Sequence, residues 1–489
     1  MMKLTTMSLQ RTGIDMLALP VCEDADIHSD PQLQTIIDGA KRLEEFSGEI
    51  KQHVLLFTPE RTKIKRCLCS GLGPKEKTDD EGLRAFAGRA VKAAIDARQQ
   101  RVVIAVPKAE VLGIPAERII RAIGEGACLA NHIFDKYKAK AEKKPLKEIF
   151  LRVETRPSAA IKSLLQNVET ICRATHQARE WVSTPSNDKV PAQLAAMITK
   201  ATQISGLKTS VMDESQLKKK KFGALLAVSV GSAHSPKLVE IAYAPKNAKK
   251  TIVLVGKGVT FDTGGINLKQ SAGLDLMKID MSGAAVVAAT MMAISRLKPK
   301  HRVVGVMPLV ENMPSGSAIR PGDIVRSFSG KTVEIGNTDA EGRLILIDAM
   351  AYAIKKYKPH TLIDLATLTG ACMVGLGERI AGVFSKDNTL SEAIVASGER
   401  THERCWPMPL PEDYKKLLDS DLADISNMPS SRYGGAITAA LFLSEFVVGT
   451  RWAHIDIAGP AFDKKGSDYC GPGGTGFGVR LVCDLIGNF

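Results

Sequence analysis

Gly256-Lys257-Gly258-Val259-Thr260-Phe261-Asp262-Thr263-Gly264-Gly265-Ile266-Asn267-Leu268-Lys269 follows the apolar run Ile252-Val253-Leu254-Val255. Such a short, unbroken apolar run reads as a strand buried on both faces. The chain then passes through Met277-Lys278-Ile279-Asp280-Met281 into a helical pattern over residues 283–297. Strand, Gly-rich turn and helix in that order predict an α/β fold, in which ligands bind beyond the carboxyl ends of the strands. A second charged stretch, Asn337-Thr338-Asp339-Ala340-Glu341-Gly342-Arg343-Leu344, opens another helical pattern over residues 342–357. Brought together, Asp262, Asp280, Asp339 and Glu341 would repel one another strongly, so they would need cations. Oxygen ligands suit Mn²⁺, Mg²⁺ or Zn²⁺.

The same pattern extends outward. Apolar runs at residues 238–243, 303–309, 362–365 and 454–457 alternate with helical stretches, which predicts a largely parallel sheet covered on both faces. Gly256, Gly336 and Gly370 each follow a strand-like run, as a site at the strand ends requires. Residues 1–165 alternate similarly, with strands at 53–57, 101–106 and 147–153. A helix is predicted over 80–99, with Leu83, Phe86, Ala87, Ala90, Val91 and Ala94 on one face, and another starts at Pro115. The expectation is an α/β protein of two domains. The smaller N-terminal α/β domain takes residues 1–165. The larger C-terminal domain takes 166–489, with a mostly parallel central sheet flanked by helices and a linking helix at 166–187.

The 489 residues allow two or three domains. A hydrophobic content of 44% and a charged content of 24% are those of an ordinary globular chain. The net charge of +13 is spread along the sequence, with basic runs at residues 136–147 and 218–221. Nine cysteines without a CxxC pair give neither a zinc ribbon nor a disulfide framework and suit a reducing compartment. The first 20 residues lack the apolar core of a signal peptide, and no run of about 18 apolar residues marks a membrane span, so a cytoplasmic protein is expected.

Several chemistries fail on their motifs. No GxxxxGK[ST] follows Gly256, and Phe261 occupies the third Gly position of GxGxxG. HExxH and GxSxG are absent, and the nine histidines are dispersed. The acidic cluster remains. Read one at a time, its members are equally turn formers or helix caps. Asp339 and Glu341 flank one residue and can point the same way, while Asp280 precedes an apolar helix whose positive end favours its charge.

Taken together, the octapeptide 337–344 and the spacing of Lys257, Asp262, Lys269 and Asp280 resemble the leucyl aminopeptidase, or cytosol aminopeptidase, family. The resemblance runs from about Trp181 to the end, including Trp452-Ala453-His454-Ile455-Asp456-Ile457-Ala458-Gly459-Pro460. It implies a dimetal exopeptidase that releases N-terminal residues, leucine preferred, from short peptides with a free N-terminus. Lys257, Asp262, Asp280, Asp339 and Glu341 are its implied ligands to two divalent ions, Mn²⁺ or Zn²⁺, with Mg²⁺ and Co²⁺ as further candidates. Lys269 and Arg343 are its implied catalytic residues, Arg343 holding a bicarbonate that serves as general base. Thr367, Leu368, Gly370 and Met277 are its implied substrate contacts, and a homohexamer its implied assembly.

Thr263, Asn267 and Ser282 depart from the commoner family pattern, and Ser282 adds a side chain beside Asp280 that is expected to affect metal preference. Two other classes compete with this reading. The positive charge permits DNA binding, and carboxylate-held metal pairs also serve phosphoester hydrolysis.

Overall fold

A computed structural model of the chain describes residues 2–9, 14–57 and 64–489. It divides into two compact units, Met1–Arg173 with Lys465–Pro472, and Ala174–Lys464 with Gly473–Phe489. The division falls between Arg173 and Ala174, inside the helix Ala159–Ser183, which also carries the expected boundary at residue 165. The excursion of residues 465–472 into the first unit has no sequence signal.

The first unit holds a six-stranded sheet in the order Met2–Thr5, Glu148–Arg152, Arg101–Ala105, Met16–Cys22, Arg66–Gly73, His53–Phe57. Only the edge strand His53–Phe57 runs antiparallel to its neighbour. The helix Asp80–Asp96 buries the predicted face, Leu83 to Ala94, and its first turn is closed by the Asp79 carboxylate accepting from Gly82 N. The late segment is fastened here by Tyr469 Oη donating to Glu81 Oε1 (3.0 Å) and by an Arg89–Asp468 ion pair (3.0 Å).

The second unit is built on a nine-stranded sheet. Its order is Cys405–Met408, Ala381–Phe384, Trp452–Asp456, Thr361–Ala366, Thr251–Gly256, Arg302–Asn312, Lys237–Tyr243, Lys208–Met212, with Gly258–Asp262 pairing the far end of Arg302–Asn312. The centre, from Trp452–Asp456 through Arg302–Asn312, is parallel. The strands Lys237–Tyr243 and Lys208–Met212 join antiparallel. The helices Ser282–Leu297 and Glu341–Tyr357 pack on the central strands with almost every residue of their first three turns buried. Gly336 does not follow a strand of this sheet. It follows Thr332–Glu334, which belongs to a separate three-stranded sheet with Ile324–Arg326 and Ile425–Ser426.

Contrary to expectation, Leu274–Leu297 is long and apolar enough to cross a membrane, yet 78% of that window is buried inside the fold, as a core helix requires. All nine cysteines are free and buried.

Candidate metal centre and substrate cavity

Local structure places each charged group. Lys257 occupies the single-residue break between the strands Thr251–Gly256 and Gly258–Asp262, and Asp262 ends the second of them. Asp280 closes the turn of 3₁₀ helix Leu274–Ile279, just before the helix Ser282–Leu297. Glu341 is the first residue of the helix Glu341–Tyr357. Asp280 and Glu341 thus lie at helix starts, where backbone N–H groups and the helix dipole favour negative charge. A Cβ on Gly342 would lie 2.5 Å from Lys257 Cε and 2.7 Å from its Nζ, so only glycine lets the lysine reach the carboxylates.

The side chains converge. One carboxylate oxygen from each of Asp262, Asp280 and Glu341 lies within 4.8 Å of the others, and all three residues are buried. Lys257 Nζ is 2.7 Å from Asp280 Oδ1 and 2.9 Å from Glu341 Oε1, and donates to Thr367 O (2.8 Å). Lys269 Nζ is 2.9 Å from Asp262 Oδ2 and 2.5 Å from Asp339 Oδ1. Lys269 and Asp339 keep 24% and 32% of their side chains exposed, so the site opens to solvent on their side.

Four carboxylates face two ammonium groups, which leaves the cluster with excess negative charge. Burial, with the repulsion of neighbouring carboxylates, raises the pKa of Asp262 and Asp339 and raises that of Asp280 far more. Burial lowers the pKa of Lys257, but Asp280, Glu341 and Asp262 outweigh it and the value rises. Lys269 is raised by the same balance, with Asp262 as the main attraction. Asp280 Oδ2 is buried without a hydrogen-bond partner. An unpaired buried carboxylate oxygen is costly unless a cation or a proton meets it. A hard oxygen donor set and one orphaned carboxylate oxygen fit divalent cations. Cations among these carboxylates would reverse the preference of Lys257 for its ammonium form and release protons.

A further layer of residues, absent from the sequence-level reading, holds the cluster. Asn312 Nδ2 donates to Asp262 Oδ1 (2.9 Å) and to Thr338 O (3.0 Å), tying one ligand strand to the loop that carries Asp339. Asn427 is fully buried. Its Oδ1 accepts from Gly336 N (2.8 Å) and its Nδ2 donates to Asn337 O (2.8 Å), while its own carbonyl accepts from Arg343 Nη1 (2.7 Å). Asn312, at the end of an apolar strand run, left a faint signal as a polar residue where a strand meets the site. Asn427 lies in a segment without any motif and left none.

Three neighbouring polar side chains are tied into the backbone around this scaffold. Asn267 Oδ1 accepts from Thr338 N (2.9 Å), and Thr263 Oγ1 donates to Asn312 O (2.8 Å). Ser282 Oγ donates to Ile279 O (2.5 Å), so its hydroxyl is occupied by the backbone and not by the ligand set.

A cavity of about 180 Å³ adjoins the cluster. Asp339, Glu341 and Arg343 line it together with Leu368, Gly370 and Met428. Arg343 Nε is buried without a partner, and its guanidinium lies 5.9 Å over the Phe442 ring. Burial lowers the Arg343 pKa to about 10, with Glu341 and Asp456 acting to raise it. Among the other expected substrate contacts, Thr367 Oγ1 donates to Asp280 Oδ1 (2.7 Å). Met277 does not line the cavity. It lies on the 3₁₀ turn Leu274–Ile279, where its carbonyl accepts from Asp280 N (3.2 Å).

The raised carboxyl pKa values have a definite sign. Protons compete with a metal on these oxygens at higher pH than on ordinary carboxylates, so metal affinity falls as pH falls. The Mn²⁺ dissociation constant, measured by calorimetry at a series of pH values, is expected to rise as pH falls. A dissociation constant independent of pH would contradict the protonation pattern.

Comparison with known proteins places this geometry. The model of the cytosol aminopeptidase family catalytic domain matches residues 176–483, and that of its N-terminal domain matches residues 20–141. The chain is 41% identical to a probable cytosol aminopeptidase of Streptomyces avermitilis, over 96% of this chain and 92% of that one. It is 40% identical to a probable cytosol aminopeptidase of Desulfovibrio desulfuricans, over 96% of each. Among solved structures, the bottromycin maturation enzyme BotP in complex with Mn superposes with a TM-score of 0.87 at 34% identity, over 97% of this chain and 99% of that one. A tomato leucine aminopeptidase variant superposes with a TM-score of 0.89 at 30% identity, over 100% and 96%.

Proposed function

Because the chain belongs to the cytosol aminopeptidase family, we propose that Lys257, Asp262, Asp280, Asp339 and Glu341 hold its metal ions and that the adjoining cavity receives the N-terminal end of short peptides. The activity is that of a metal-dependent aminopeptidase. The observation that carries the residue assignments is the convergence of three buried carboxylates and Lys257, with Lys269 on the open side.

Two divalent cations held there would supply Lewis acidity and a water ionised near neutral pH. The residues of the chain do the rest. Lys269 is kept as an ammonium by Asp262 and Asp339, and it is the donor for negative charge developing on the scissile carbonyl oxygen. A preorganised donor of this kind lowers the barrier by about 3–4 kcal/mol. Arg343 carries a buried, unpartnered Nε and lines the cavity, which suits it to hold an anion such as bicarbonate, whose oxygens would supply a base there. The backbone of Leu368 and Gly370 forms the wall against which the peptide lies. The free α-amino group of the substrate is the feature recognised. The family resemblance further supports leucine as the preferred residue, Mn²⁺ or Zn²⁺ as the ions, and a cytoplasmic homohexamer.

Manganese-loaded protein is expected to hydrolyse Leu-Gly and leucine p-nitroanilide, to leave N-acetyl-Leu-Gly intact and to lose activity with a chelator. Intact Leu-Gly beside a hydrolysed phosphate ester would replace the peptidase reading with a phosphoesterase.

A further inference from the structure

The segment Trp452-Ala453-His454-Ile455-Asp456 forms the strand parallel to Thr361–Ala366, with Asp364 opposite His454 and Ala366 opposite Asp456. Alternation along a strand puts Trp452, His454 and Asp456 on one face. Trp452 Nε1 donates to Asp364 Oδ2 (2.7 Å) and His454 Nδ1 pairs with Asp364 Oδ1 (2.6 Å), so two of the three side chains brace the neighbouring strand. The third reaches beyond the strand end. Asp456 Oδ1 accepts from Leu368 N (3.2 Å) and Ala458 N (3.1 Å), and Oδ2 accepts from Thr369 Oγ1 (2.8 Å). Thr369 Oγ1 in turn accepts from Cys372 N (3.0 Å) and closes the first turn of the helix Gly370–Leu376.

Residues 367–370 thus have two attachments. On one side, Thr367 is bound to Lys257 and Asp280 of the cluster. On the other, Leu368 and Thr369 are gripped by Asp456, which is buried and does not line the cavity. Leu368, Thr369 and Gly370 do line it. A buried carboxylate is costly unless its oxygens are hydrogen-bonded, and two of its three bonds are directed at this wall. The Asp456 charge also supports the buried Arg343 guanidinium.

We propose that Asp456 is a positioning residue that, through Leu368 N and Thr369 Oγ1, fixes the substrate-facing wall at residues 368–370 relative to the carboxylate–lysine cluster. The proposal rests on the peptidase reading above and adds to it a residue that touches neither metal nor substrate.

The test uses full-length, manganese-loaded enzyme and Leu-Gly. Asp456→Ala is expected to raise KM about tenfold or more, with kcat changed less and manganese content per chain unchanged, because a displaced wall weakens substrate and transition state alike. Thr369→Val is expected to raise KM by a smaller factor, and Thr369→Ser, which keeps the hydroxyl, to restore it. The double variant Asp456→Ala/Thr369→Val is expected to be no worse than Asp456→Ala alone. An Asp456→Ala enzyme with wild-type KM and only a lower Tm would overturn the proposal, as would lost manganese or fully additive effects. If Asp456→Ala does not fold, equal KM values for Thr369→Val and Thr369→Ser would overturn it instead. Wild-type protein inactive on Leu-Gly would count against the peptidase reading itself.

Discussion

Glu341→Gln is expected to abolish hydrolysis and manganese binding together. The substitution preserves shape, so its effect is one of charge. Glu341 is buried, 2.9 Å from Lys257 Nζ, and shares a 4.8 Å cluster with Asp262 and Asp280. Removing its negative charge takes away a central oxygen donor and leaves the Lys257 ammonium with Asp280 as its remaining close partner. Both changes disfavour a cation in the cluster. Loss of a residue that merely orients a metal ligand typically costs about 10–100-fold in metal affinity or activity, so a direct ligand should exceed that. The measurements are manganese content after dialysis and kcat/KM on leucine p-nitroanilide. Retained manganese with retained activity would remove Glu341 from the ligand set.

Lys269→Met is expected to separate chemistry from metal binding. Methionine keeps most of the side-chain length and removes the ammonium. Asp262 and Asp339 then lose their partner at 2.9 and 2.5 Å, and the cluster becomes more negative. The electrostatic sign is therefore towards tighter cation binding, and a fall in activity cannot come from metal loss. If Lys269 is the donor to the developing oxyanion, kcat falls about 10²–10³-fold with manganese content at or above that of wild type. A near-normal kcat would assign the oxyanion entirely to other groups and leave Lys269 as a counter-charge for Asp262 and Asp339. The pair of variants therefore divides the cluster into what holds the metal and what acts on the substrate.

Local patterns carried much of this protein. The helix Asp80–Asp96 follows from its one-sided stripe of Leu83, Phe86, Val91 and the alanines between. A central strand such as Thr251–Gly256 was readable as an unbroken apolar run, because both of its faces are covered. The four carboxylates were legible as an acidic cluster beside Gly-rich turns and helix starts, and the resemblance to the aminopeptidase family added Lys257 and Lys269 to the proposed site. Those are properties of short stretches of chain, and short stretches suffice to encode them.

Other features exist only once distant segments meet. Asn312 reaches Asp262 across 50 residues of sequence and Asn427 reaches Asn337 across 90, through hydrogen bonds that no local preference announces. The 3₁₀ turn that carries Met277 brings its carbonyl to Asp280 N, a contact set by how that turn meets the following helix. The strand end aims the Thr367 hydroxyl at Asp280, 87 residues away in sequence. Asp456 gripping residues 368–369, and residues 465–472 leaving the second unit for the first, depend on which strands and helices become neighbours. The sequence by itself determined the secondary structure and the chemical identity of the reactive groups. Only the tertiary structure decided which groups face one another and what orients them, because that depends on the packing of the whole chain.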